Sequence, residues 1–174
     1  NKTVVVFAVE VRTRQTDDKT EGLSSKERHL QGFEPKQMYA GRIRAQVLED
    51  ASAASLDPFV EENVSKDETV LVTDGWFGYE HLESKGFEHN IHLSKNSDSS
   101  GWMTMVHIEI SNFKTIWRGT YHGRVASNHL QNYLNQYCFV HNRRFLPEGF
   151  PFLRLLQLGM LNQAPTYLDI YNGK

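Results

Sequence analysis

The sequence predicts an α/β fold, and three observations predict it. Apolar, Val-rich runs of strand length occur at Thr3–Val11, Arg42–Leu48 and Thr69–Thr73. Apolar residues at helical spacing occur between and after them. The order that results is strand, strand, helix, strand, short helix, strand, helix, helix, which describes a hairpin followed by a helix-linked parallel strand in a sheet of mixed direction. A chain of 174 residues is long enough to bury a real core around such a sheet.

The first run, Thr3–Val11, is nearly continuous in apolar residues and predicts a strand covered on both faces. Residues 12–41 are polar, with Gly22, Gly32, Pro35 and Gly41 among them. They read as an inserted lobe or an elongated hairpin tip, because a plain connection of that length is unusual. Ser24 and Glu27 have capping-box spacing and predict a short helix over 24–31. Arg42–Leu48 alternates, with Ile43, Ala45 and Val47 on one face and Arg42, Arg44 and Gln46 on the other. Ser55 is the expected N-cap of the next helix, with Pro58 in its first turn and a buried stripe of Leu56, Phe59, Val60 and Val64.

Thr69–Thr73 is a short buried strand that ends at Asp74-Gly75. A short helix from about Tyr79 closes at Gly86, a residue suited to a left-handed C′ position. Residues 88–94 predict a further strand and 95–101 a polar loop. A helix from about Met105 has Val106, Ile110, Phe113 and Trp117 as its core face. The stretch from Gly119 to Gly123 is a turn, and Ser127 caps a last helix that buries Leu130, Tyr133, Leu134, Tyr137 and Cys138. Trp76, Phe77, Tyr79, Trp102 and Trp117 are expected in the core or partly buried. The tail after Pro147 is apolar in places and carries no legible chemistry.

Composition narrows the function classes. No apolar run approaches the ~18–20 residues needed to span a bilayer, and no secretory signal is visible. Cys138 is the single cysteine, so no disulfide can form within the chain and a cytoplasmic home is expected. The formal net charge is −2, but the charge is segregated. Acids cluster in residues 49–88, whereas no Asp or Glu occurs between Ile110 and Pro147, a stretch that holds Lys114, Arg118, Arg124, Arg143 and Arg144. Polyphosphate is the partner such a stretch suits, because each cation near a phosphate releases counterions.

The chemistry-bearing candidates lie at the edges of this pattern. Asp74, at the C-terminal end of a buried strand, points toward the crevice where α/β proteins bind ligands; the plainer reading is an Asp-Gly turn. Asn112 lies roughly 100° around the helix from the apolar stripe, with Glu109 one turn earlier on the same side. Either could ligate Mg²⁺ through oxygen, and on charge alone Glu109 is the stronger ligand. Lys114 and Arg118 extend along the same helix. His107 and His122 bracket it at a spacing unlike a zinc site, and no P-loop, dinucleotide fingerprint or nucleophile elbow is present.

The runs DASAASLDPFVEENV, TVLVTDGWFGYEHLESKGFEH and VHIEISNFKTIWRGTYHG, followed by HLQNYLNQYCFVHNRR, resemble transposases of bacterial insertion sequences of the ISXO type. The resemblance covers nearly all of residues 3–145 apart from the 12–41 insertion. It implies an RNase-H-like catalytic domain of the DDE class, with Asn at the third position, over residues 1–147, and a C-terminal tail over 148–174. Asp74 then matches the second acidic position and Asn112 the third metal-binding position, with the phase fixed by His107 and by GTYHG. Lys114 matches a lysine expected on DNA phosphate, and Arg118, Arg124 and His122 are the other expected DNA contacts.

The implied activity is DNA strand cleavage and strand transfer with two Mg²⁺ or Mn²⁺ ions, on DNA bound by a homodimer or larger synaptic assembly, with no membrane partner and nucleoid association when bound. Residues 1–11 lack the family's first catalytic Asp, which lies on a strand before the one seen here. The expectation is therefore an N-terminally truncated domain, short of its first strand and inactive by itself. Two alternatives remain at this point: a catalytically dead DNA-binding remnant, and a hydrolytic RNase-H-like nuclease.

Overall fold

The structure is a computed structural model and describes residues 3–13, 38–67, 69–92, 101–123, 126–162 and 165–171. Strand β1 (Val4–Thr13) runs antiparallel to β2 (Met38–Leu48), from Val4↔Leu48 to Thr13↔Met38. The hairpin thus extends further at its tip than the predicted limits of Val11 and Arg42. The predicted helix over 24–31, and all of 14–37, lie outside the described residues. The register shifts between Val9 and Val11. At that bulge the Glu10 carboxylate accepts the Arg42 N–H at 2.8 Å and Arg12 Nε–H at 2.7 Å, so a side chain replaces part of the interrupted ladder.

Both faces of the hairpin are covered, as the near-continuous apolar run of β1 predicts. On one face Val6 and Leu48 pack with Leu56, Phe59 and Val60 of helix α1 (Ala53–Asn63), and with Leu82 and Phe87. On the other face Ile43 and Ala45 pack with Phe113 of helix α2 (Gly101–Thr120) and with Leu130, Leu134 and Cys138 of helix α3 (Leu130–Asn142). Phe7, Trp117 and Tyr137 gather around Phe113 with ring centroids 5.4–5.9 Å apart.

Among the described residues β2 has no second strand beside it. Its backbone meets amide side chains instead: Asn142 accepts from Ile43 N–H at 2.7 Å and donates to its carbonyl at 2.9 Å, and Gln131 accepts from Val47 N–H at 2.8 Å. Arg144 donates to the carbonyls of Ala40 and Gly41. These side chains satisfy an edge that would otherwise invite another strand.

A second pair, β3 (Val70–Thr73) and β4 (Glu88–Ile91), is parallel, with Val70↔Glu88 and Thr73↔Ile91 in register. The expected mixed sheet is present as these two separate pairs, one antiparallel and one parallel. Helix α2 packs against β1, β2 and β3 and so lies over both pairs.

Several boundaries differ from the sequence reading, each for a physical reason. Helix α1 starts one turn early, with Ser52 as N-cap and Pro58 inside. Asp50 draws the local hydroxyls to itself, accepting from Ser52 Oγ at 2.6 Å and Ser55 Oγ at 2.8 Å, so Ser55 is spent on that carboxylate rather than on a cap. The segment expected as a helix from Tyr79 is a 3₁₀ turn at Phe77–Tyr79 followed by turns, although Gly86 does adopt the left-handed conformation (φ 87°). Gly78 is enclosed there: a Cβ would meet the Ala51 carbonyl oxygen and Leu56 Cδ1, each at 2.7 Å.

Helix α2 begins at Gly101, earlier than Met105, and Ser127 opens a 3₁₀ turn that leads into α3 rather than capping it. The C-terminal tail forms α4 (Phe150–Leu161) and α5 (Tyr167–Tyr171), and α4 buries none of its residues. No described helix is long and apolar enough to cross a membrane.

Candidate active site

Asp74 directly follows β3 and is exposed. Its Oδ1 accepts the Trp76 N–H at 3.2 Å, while Gly75 takes a left-handed conformation (φ 78°) that swings the chain out of the strand. The turn is anchored below by Thr73, whose buried hydroxyl meets His89 Nε2 at 2.8 Å, and above by Trp76, whose Nε1–H donates to the Ala51 carbonyl at 2.7 Å. Burial pushes the Tyr79 hydroxyl above its ordinary value, and the nearby Asp74 charge adds to that. Trp76 and Phe77 are expected from the sequence in the core or partly buried. They are exposed, stacked on each other with centroids 4.4 Å apart, because the turn at Gly75 carries them outward. Tyr79 and Trp117 are half-buried as expected, and the Trp102 side chain lies outside the described residues.

Asn112 sits on α2 with an exposed side chain, and Lys114 and Arg118 follow on the same helix, also exposed. Neither cation has a carboxylate partner among the described residues. Arg118 falls in the last turn of α2, where a cation complements the helix dipole. His107 is exposed. His122 is exposed and left-handed (φ 52°) in the turn that ends α2, where the Tyr121 and Gly123 N–H groups both reach the Trp117 carbonyl. Arg124 lies outside the described residues. Helix α2, which carries Asn112, packs against β3, which ends next to Asp74.

Two members of the basic stretch are committed elsewhere. The Arg143 guanidinium lies 3.8 Å from the Phe139 ring centroid, and Arg144 stacks on Phe145 at 4.2 Å while holding the β2 carbonyls. Their charge serves packing as well as any partner, which the sequence alone did not distinguish.

The largest departure from the sequence reading is Glu109. Expected at the surface beside Asn112, it is only 4% exposed. Its Oε2 accepts the Tyr137 hydroxyl at 2.7 Å and lies 3.1 Å from His141 Nδ1, both from α3. Glu109 is therefore committed to an internal network. Burial pushes the Tyr137 hydroxyl well above its ordinary value, and the Glu109 carboxylate adds to the shift. The Asn112 side chain is the smallest influence and acts in the opposite direction. Tyr137 and His141 lie one turn apart on α3, on the side that meets Glu109.

His141 provides a pH-dependent prediction. Burial holds its imidazole below the ordinary value; the Glu109 carboxylate opposes that shift, and the Arg144 charge reinforces it. Its Nε2 is buried with no hydrogen-bond partner among the described residues. A depressed folded value means the unfolded chain takes up the proton first as pH falls. The stability tied to neutral His141 is therefore present above about pH 6.5 and is lost as pH drops through the folded value. The urea midpoint is expected to fall between about pH 7.5 and about pH 5.5, and His141→Gln is expected to reduce that slope. An unchanged slope in the variant would assign the pH dependence to other groups.

Among the described residues no three or more His, Cys, Asp or Glu side chains gather as a metal-binding cluster. Comparison with known proteins places the sequence more firmly. Residues 1–142 match the family model of the ISXO2-like transposase domain, and the chain belongs to that family. No curated protein and no solved structure matches it.

Proposed function

We propose that this domain carries out divalent-metal-dependent cleavage and transfer of DNA strands for an insertion sequence. The observation that carries the reading is the family match over residues 1–142, combined with an exposed Asp74 at the end of β3 and an exposed Asn112 on the helix that packs on that strand. Both are hard oxygen donors. Mg²⁺ suits them, because it keeps several waters and takes only one or two protein carboxylates alongside substrate phosphate. When bound, the ions would supply Lewis-acid stabilisation of the attacking and leaving oxygens.

The protein's own part is positional. Gly75 and the Thr73–His89 bond fix the turn that presents the Asp74 carboxylate. Asn112 offers a neutral oxygen from a rigid helix. Lys114, Arg118, Arg124 and His122 would lie along the DNA backbone; with Asn112 in place of a third carboxylate, metal binding is expected to be weaker and Lys114 offsets phosphate charge directly.

The fold supports an RNase-H-like reading in one respect. Helix α2 lies over both the antiparallel and the parallel pair, which is compatible with one layer of helix on a mixed sheet.

The test is product analysis with labelled DNA carrying element ends, in Mg²⁺ or Mn²⁺, using a protein that includes any segment preceding Asn1. Product joined to a second DNA supports strand transfer. Nicked product alone makes the protein a nuclease, and binding without either product makes it a DNA-binding remnant. A second measurement addresses the basic face: Lys114→Glu and Arg118→Glu are each expected to weaken DNA binding at every sequence and to lower the salt-dependence slope by about one. Binding unaffected by both changes would remove α2 from the DNA interface.

A further inference from the structure

We propose that Trp76 and Phe77 form a stacking platform for an unpaired nucleobase of the DNA strand whose phosphate lies at Asp74. The proposal rests on the reading of this domain as one that processes DNA strands, and adds where a strand is gripped.

The two rings stack on each other with centroids 4.4 Å apart and are 45% and 59% exposed. Their backbone is not free to fold them inward. Trp76 Nε1–H donates to the Ala51 carbonyl at 2.7 Å, and Trp76 N–H donates to Asp74 Oδ1 at 3.2 Å. Gly78, next in the chain, is walled in by the Ala51 carbonyl and Leu56. The pair is therefore held ready, and a ligand arriving there meets little ordering cost. The indole has spent its one donor and Phe77 has none, so what they offer is π surface. Other rings near the cations are already taken: Arg143 lies over Phe139 and Arg144 over Phe145. Among the described residues no cation lies over Trp76 or Phe77.

Position selects the ligand. Trp76 lies two residues past Asp74, a span of at most ~7 Å. Phosphates along one strand of a duplex recur every ~3.4 Å of its axis. A strand with its phosphate at Asp74 thus brings that nucleotide or a near neighbour to the rings. The exposed Lys114 and Arg118 stand on α2, which packs on β3, and supply charge for the backbone. Bases inside a duplex already cover one another, whereas a cut strand ends in a base with a bare face. Stacking on that face needs no particular sequence, and it would keep the cut end beside Asp74.

The test is binding of a fluorescent oligothymidylate to the full chain, by anisotropy in EDTA, against a relaxed closed-circular duplex that has no unpaired bases. Trp76→Ala and Phe77→Ala are each expected to weaken oligothymidylate binding by about five- to hundredfold, the range of one base–aromatic stack. The salt-dependence slope should stay unchanged, because stacking releases no counterions. Trp76→Phe, which keeps a ring, should recover most of the affinity, and binding to the closed circle should hold within about twofold. Phe77→Ala serves if Trp76→Ala does not fold, since the Phe77 ring makes no hydrogen bond. Unchanged oligothymidylate affinity in folded Phe77→Ala overturns the platform, as does an equal loss on the closed circle. Loss of self-association by sedimentation with DNA affinity intact overturns it in favour of a protein contact. A parent chain that binds the circle but not the oligothymidylate removes the platform alone; one that binds neither removes the DNA reading with it.

Discussion

Replacing Asp74 by Ala in the complete protein is expected to lower metal-dependent strand cleavage by roughly 10²–10⁴-fold, the scale on which losing a metal ligand removes several kcal/mol of transition-state stabilisation. The fold should tolerate the change. Asp74 is exposed, and among the described residues its one hydrogen bond is to the Trp76 N–H at 3.2 Å, so the structural loss is about 0.5–1.5 kcal/mol. The two roles separate cleanly. Asp74→Asn keeps an oxygen for the Trp76 N–H and removes the charge, so it should retain stability while losing most of the cleavage. Cleavage that survives in Asp74→Ala would reduce this residue to the first half of an Asp-Gly turn.

Leu134→Ala is expected to have the largest effect on stability. Leu134 is fully buried where β2, α2 and α3 meet, packed with Ile43, Ala45, Phe113, Leu130 and Cys138. Truncation there leaves a cavity that close-packed neighbours fill only in part, at a cost of about 2–5 kcal/mol. That is a large share of the roughly 5–15 kcal/mol that holds a domain together. The effect should reach the site, because the same cluster seats α2 and hence Asn112. Leu153→Ala on α4 is the matched control: Leu153 is 54% exposed, and the change should stay within about 0.5 kcal/mol. Urea unfolding of both variants decides the point, and a loss below about 1 kcal/mol for Leu134→Ala would place the core elsewhere.

Much of the fold was legible in the residues because its signals are local. The continuous Val run of β1 announced burial on both faces, and both faces are covered. The stripe of Leu56, Phe59 and Val60 is the buried face of α1, and Gly86 is left-handed as its position suggested. Helix ends were read less well. Asp50 accepts both the Ser52 and the Ser55 hydroxyls, and Ser52 holds the N-cap position by its extended backbone with no side-chain cap bond. Of the site, the residue types and order were legible, and with them the family. Glu109 was the exception: its charge made it the better ligand on paper, and no periodicity shows that Tyr137 and His141 wait on another helix to bury it.

The sequence by itself determined that this is an α/β chain of the ISXO2-like transposase family, with its acids early, its cations late and Asp74 at a strand end, because strand alternation, helical stripes and motif spacing are properties of neighbouring residues. Only the tertiary structure decided that the strands stand as two pairs bridged by α2, that Trp76 and Phe77 face outward, that Arg143 and Arg144 are tied to packing, and that Glu109 is internal while Asn112 is exposed. Those outcomes depend on which side of one helix another element covers, and that choice is made by packing between residues far apart in the chain.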